Sequence, residues 1–110
     1  MQNSLLQGTL DILVLKALIF GPQHGYAVAR WIRDTTDGTL AVEDGALYAA
    51  LHRMEQRGWI EAEWGLSDNN RRAKYYRLTA PGRKQLQAET QSWTTYAEAV
   101  FKVLAAEAAA

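Results

Sequence analysis

Apolar residues Leu6, Leu10, Leu13, Val14, Ala17 and Leu18 recur at three- and four-residue spacing, which predicts a helix with one broad apolar face running to about Phe20. Gly21-Pro22 ends it. From His24 to about Thr36, Val28, Ala29 and Ile32 repeat the helical spacing, with Arg30, Arg33 and Asp34 on the other side. Asp37-Gly38 reads as a turn. Asp44 is the expected N-cap of a third helix, whose core side is Leu47, Leu51 and Met54, and Gly58 suits its C-terminal stop.

The period then changes from helical to alternating. In "WIEAEW", residues 59–64, Ile60, Ala62 and Trp64 fall on one face and Glu61 and Glu63 on the other. "GLSDNN" at 65–70 is turn chemistry, and "AKYYRLT" at 73–79 is a second run of strand formers in which Tyr76 and Leu78 share a face. Thr79 can cap a last helix that tolerates Pro81 in its first turn and runs through Trp93, Tyr96, Val100 and Leu104 to an alanine-rich end. The expected fold is α+β and mostly helical. Its order, three helices and a two-stranded hairpin, is that of a winged helix-turn-helix, and the last helix is expected to be a C-terminal dimerisation helix. Residues 1–79 would form the winged unit and residues 80–110 the dimerisation helix, within one compact body.

A length of 110 residues fits one domain. The chain has no cysteine, which rules out disulfides and thiolate metal sites and fits a reducing compartment, so the cytoplasm is expected. Residues 5–20 are apolar, but Gln7, Asp11 and Lys16 interrupt them and the run is shorter than the roughly 20 residues of a bilayer span. No positive residue precedes that run, which argues against a signal peptide. The two histidines, His24 and His52, lie on different predicted helices, so no metal is expected. Neither a nucleophile elbow nor a glycine-rich phosphate loop is present, and the expectation is a protein without catalytic activity or cofactor.

Charge changes the picture through its placement. Twelve basic and twelve acidic residues cancel, yet residues 71–84, "RRAKYYRLTAPGRK", hold six cations and no acid. Arg71, Arg72 and Lys74 fall at the tip and returning strand of the hairpin, beside Asn69 and Asn70, where a wing meets phosphate. Six such contacts in a dimer give an expected slope of log affinity against log salt of about −5. On the third helix, Ala46, Ala49, Ala50, His52, Arg53 and Gln56 form an outward set with Tyr48 at its boundary. The alanines would permit close approach to base edges, while His52 and Arg53 could donate to phosphate or guanine. Tyr26 could offer its hydroxyl to phosphate, and Glu55 and Arg57 are expected to pair on the surface.

On the last helix, Leu86, Trp93 and Val100 recur every seven residues, with Ala97 and Leu104 on the adjoining row and Tyr96 widening the stripe. With Leu6, Leu10 and Leu13 of the first helix this is more apolar surface than one small core absorbs, and a homodimer is expected. Two reading helices would then address a pseudo-palindrome with half-sites about 34 Å apart. The alternative is a winged-helix protein–protein adaptor that does not touch DNA.

Three stretches, "HGYAVA" (24–29), "GALYAALHRMEQRGWIEAEW" (45–64) and "RRAKYYRLTAPGRKQL" (71–86), resemble the PadR-type transcriptional regulators, in the short subclass with a single C-terminal helix. The resemblance covers nearly the whole chain. It implies a dimeric DNA-binding repressor, in a family some of whose members respond to small aromatic compounds. It also implies that Tyr48 contacts the DNA backbone, and that Trp93 faces its mate across the dimer axis, where it could hold a planar ligand. Two features depart from the family pattern: Glu43 and Asp44 place acids at the helix end nearest DNA, and the chain is short after Leu104.

Overall fold

The computed structural model describes residues 7–109. Leu6, expected in the dimer seam, lies outside them. Helix α1 spans Gln7–Ala17 and tightens into a 3-10 turn at Leu18–Phe20, which Gly21 ends at φ 130°. Helix α2 covers Gly25–Thr35 and α3 covers Asp44–Gln56. Strands β2 (Ile60–Leu66) and β3 (Arg72–Leu78) form the hairpin, and α4 runs from Ala80 to Ala105.

Val14, Leu15 and Leu18 meet Val28 and Ile32 of α2 and Leu47, Leu51 and Met54 of α3, with Ile60, Tyr76 and Leu86 closing the core. The helical periodicity of the sequence therefore points where it should. Ala50 is a correction: it is fully buried, because it continues the Leu47–Leu51–Met54 stripe by one helical neighbour. Glu43, not Asp44, occupies the N-cap of α3; Asp44 sits in the first turn, where its charge favours the positive end of the helix.

A second correction concerns the sheet. It has three strands among the described residues, because Gln23–His24 forms a short β1 on the outer edge of β3, in the order β1-β3-β2. His24 pairs with Tyr75 and then caps α2, its Nδ1 accepting from the Ala27 N–H at 3.2 Å. One residue thus ties the start of α2 to the wing.

In the hairpin, Trp64 pairs with Lys74 and Leu66 with Arg72. The Asn70 N–H donates to the Ser67 carbonyl and the Ser67 N–H to the Arg71 carbonyl, both at 2.8 Å, with Asn70 at φ 58° making the reversal. The Tyr75 ring lies over Gly65, and its hydroxyl donates to the Leu66 carbonyl at 3.0 Å. Tip and strands are therefore cross-linked from the far face.

At the base of the wing, Thr79 caps α4 by accepting from the Gly82 N–H at 3.1 Å and donates its own hydroxyl to the Gly58 carbonyl at 2.6 Å. Gly82 packs directly on the backbone of Trp59; a Cβ there would sit 2.0 Å from the Trp59 carbonyl oxygen. From this junction α4 projects away, giving a molecule 65 Å long and 30 by 21 Å across. No helix among the described residues is long and apolar enough to cross a membrane.

Candidate nucleic-acid interface

A groove of about 800 Å³ opens between the start of α2, α3 and the wing. Tyr26 and Arg30 enter it from α2, Tyr48 from α3, Trp64, Arg72 and Lys74 from the strands, and Asn69 and Arg71 from the tip. Four cations line it against one carboxylate, Asp68. The chain's overall neutrality conceals this local excess.

The two tyrosines stand out into solvent, Tyr26 at 64% and Tyr48 at 50% exposure. Glycine lets Tyr48 pack close: a Cβ on Gly25 would come to 3.0 Å from both its Cε1 and its hydroxyl oxygen, so the ring would have to shift by a few tenths of an ångström. The ring therefore rests on the first turn of α2, with its hydroxyl beside the helix start, where N–H groups point outward and a negative ligand is favoured.

On the wing, the Arg72 guanidinium lies over the Trp64 ring, 4.5 Å from its centroid. Lys74 reaches Glu55 of α3 at 3.4 Å and lies 5.6 Å from the Tyr76 ring centroid. Burial, more than any neighbouring charge, raises the Tyr76 hydroxyl above its ordinary pKa. Arg71 is exposed at the tip. Arg71 and Arg72 are therefore the wing cations most available to an incoming phosphate, and Lys74 is shared with a carboxylate.

The structure brings Tyr26, Tyr48, Arg71, Arg72 and Lys74 into one groove. Ala46, Ala49 and His52 are exposed on α3 outside it, and Asn70 is exposed at the tip. Arg53 is a correction to the outward set. Its guanidinium turns inward to the carboxylate of Asp11 on α1, which is 5% exposed. The expected Glu55–Arg57 pair is replaced by Glu55–Lys74, while Arg57 lies over the Trp59 ring at 5.1 Å. Sequence reasoning missed Arg30, Gly25 and the exposure of Trp64. The glycine between His24 and Tyr26 was a usable signal for close packing; the other two depend on where the core stops.

Among the described residues no cluster of histidine and carboxylates could hold a metal. Of the expected dimer residues, Leu10 and Leu86 are buried in the protomer's own core, and Leu13 packs half-buried against it. The distal half of α4 differs: Trp93 (41%), Tyr96 (58%), Val100 (37%) and Leu104 (73%) are exposed, with Ala97 half-buried between them. The Trp93 and Tyr96 rings stack at 5.7 Å.

Residues 14–88 match the Transcriptional regulator PadR-like family. Among solved structures, a transcriptional regulator from Clostridium thermocellum is 30% identical with a TM-score of 0.79, over 87% of this chain and 93% of that one. A PadR family transcriptional regulator from Eggerthella lenta is 31% identical with a TM-score of 0.77, over 92% of this chain and 86% of its own. A PadR-like transcriptional regulator from Bacillus cereus is 27% identical with a TM-score of 0.79, over 93% and 97%. The three-helix core, the wing and the match over residues 14–88 agree, and this chain belongs to the PadR-like family of transcriptional regulators.

Proposed function

We propose that the protein is a DNA-binding repressor that acts as a homodimer on a pseudo-palindromic operator. The observation that carries this is the groove: four cations and two exposed tyrosines, drawn from α2, α3 and the wing, face one opening. Phosphates would lie along Arg71, Arg72 and the two tyrosine hydroxyls, and would fix the register. Ala46, Ala49 and His52 on the exposed side of α3 are the residues for base edges. Arg53 is left out of this set because Asp11 holds it. Repression follows from occupancy, since a dimer spanning one turn of duplex excludes other proteins from it.

The dimer rests on the distal half of α4. Exposed Trp93, Tyr96, Val100, Phe101, Val103 and Leu104 form an apolar surface that a second α4 would cover. In this assembly residues 1–79 form the winged unit and residues 80–110 the dimerisation helix of the short subclass. The stacked Trp93–Tyr96 pair offers a face to a planar aromatic effector, and quenching of tryptophan fluorescence by such compounds, lost in Trp93→Phe, tests that role.

The decisive experiment selects binding sites from a random duplex pool and then measures affinity by fluorescence anisotropy. Enrichment of a two-fold symmetric sequence with half-sites about one helical turn apart is the expected result. No enrichment, combined with unchanged partner capture after Arg71, Arg72 and Lys74 are replaced by alanine, would point to a protein–protein adaptor instead.

A further inference from the structure

The apolar face of the hairpin outruns the core. Along β2, Ile60 is buried and Ala62 half-buried, but Trp64 is 57% and Leu66 67% exposed on the same face. A large ring left this far in water needs a reason, since exposing it forfeits the gain from burial. The cross-strand register supplies one. Trp64 stands opposite Lys74 and diagonal to Arg72, and the Arg72 guanidinium carbon lies over the indole, 4.5 Å from its centroid.

We infer that Trp64 is a positioning residue: its ring is the platform that holds the Arg72 guanidinium over the groove, ready for a phosphate. This rests on the DNA-binding reading above. A loose arginine on a hairpin loses rotamer freedom when it meets a phosphate, and where that cost exceeds the small gain of one exposed contact the contact is not made; one already laid on a ring loses less. Stacking uses the guanidinium face and leaves its N–H edge available to phosphate oxygens. The strand beneath is itself braced, with Tyr75 packed over Gly65 on the opposite face and bonded to the Leu66 carbonyl. Of the other groove cations, Lys74 is held by a carboxylate and Arg30 lies 3.8 Å from Asp34, while Arg71 is exposed at the tip.

Salt dependence distinguishes this role from a merely structural one, because Trp64 carries no charge. Anisotropy titrations of the full-length protein with a labelled random-sequence 24-base-pair duplex, over a series of salt concentrations, would compare wild type, Trp64→Ala, Trp64→Phe, Arg72→Ala and the Trp64→Ala/Arg72→Ala double variant. The expected result for Trp64→Ala is affinity weaker by about tenfold and a salt slope shallower by up to about 2, one phosphate for each wing of a dimer. Trp64→Phe restores most of both, and the double variant binds no worse than Arg72→Ala. Full affinity in Trp64→Ala, a loss of affinity with no change of slope, or additive losses in the double variant would each overturn the inference. Far-UV circular dichroism identifies a variant that has lost its fold, and Trp64→Phe then carries the comparison through its slope. If wild type does not bind the duplex, the DNA reading fails first and takes this one with it.

Discussion

Arg53 of α3 donates to the carboxylate of Asp11 on α1, a contact across 42 positions of sequence. It joins the helix expected to read DNA to a helix that packs against α4. Removing the carboxylate leaves a cation with 28% of its side-chain surface exposed and no partner at that place. A fully buried pair broken in this way costs about 3–5 kcal/mol, and partial exposure lowers the figure. Asp11→Ala should destabilise the fold by about 1–3 kcal/mol, seen as a fall of about 5–15 °C in Tm at fixed protein concentration.

Gly25→Ala should separate binding from stability. Its Cβ would lie 3.0 Å from the Tyr48 ring, tight enough that the ring must give by a few tenths of an ångström, and Tyr48 is exposed enough to do so. Gly25 opens α2 at a backbone conformation open to alanine, and the lower freedom of alanine in the unfolded chain favours the fold by about 0.4–1 kcal/mol. Urea unfolding should therefore show a midpoint equal to or above wild type, while affinity for the selected operator falls.

Wing cations set the salt response. With Arg71 and Arg72 available in each of two wings, four phosphate contacts give a slope of log affinity against log salt of about −4. That is shallower than the −5 expected when Lys74 was counted. Glu55→Gln removes the carboxylate that holds Lys74 at 3.4 Å, so it should steepen the slope and tighten binding. The pair is half-buried near the surface and is worth about 1 kcal/mol, so stability should change little.

Leu104→Asp tests the dimer. Leu104 is 73% exposed in the protomer and supports no core, so the protomer should keep its fold. Burying a leucine is worth about 1.5–3 kcal/mol, and the substitution acts in both copies, so the dimer dissociation constant should rise about hundredfold or more. Light scattering across a concentration series reads this directly.

The helices were legible because each buries a stripe at a regular period, and Thr79 with Pro81 marked the start of α4 by local chemistry alone. Strand β1 was not, since two residues cannot display a period. Alternation placed Ile60, Ala62 and Trp64 on one face correctly but could not say that the core ends between them. Arg53 falls on the outward side of α3 by helical spacing, and Asp11, which turns it inward, lies in a different helix. Leu10 and Leu86 share the helical spacing of Trp93 and Leu104, yet the first two are buried in the protomer and the last two are exposed. An apolar stripe looks identical in sequence whether its cover comes from within the protomer or from outside.

The contact between Gly82 and the Trp59 carbonyl gives α4 a fixed hinge. A helix of 26 residues is about 39 Å long, so it works as a lever arm. The part beyond Gly82 is about 35 Å long, so one degree of rotation there moves the far end by about 0.6 Å. In a pair of protomers joined at those far ends, the same small angle would alter the gap between the two wings. Any side chain larger than hydrogen at position 82 would pry the joint open, and the calibration of the whole calliper would go with it.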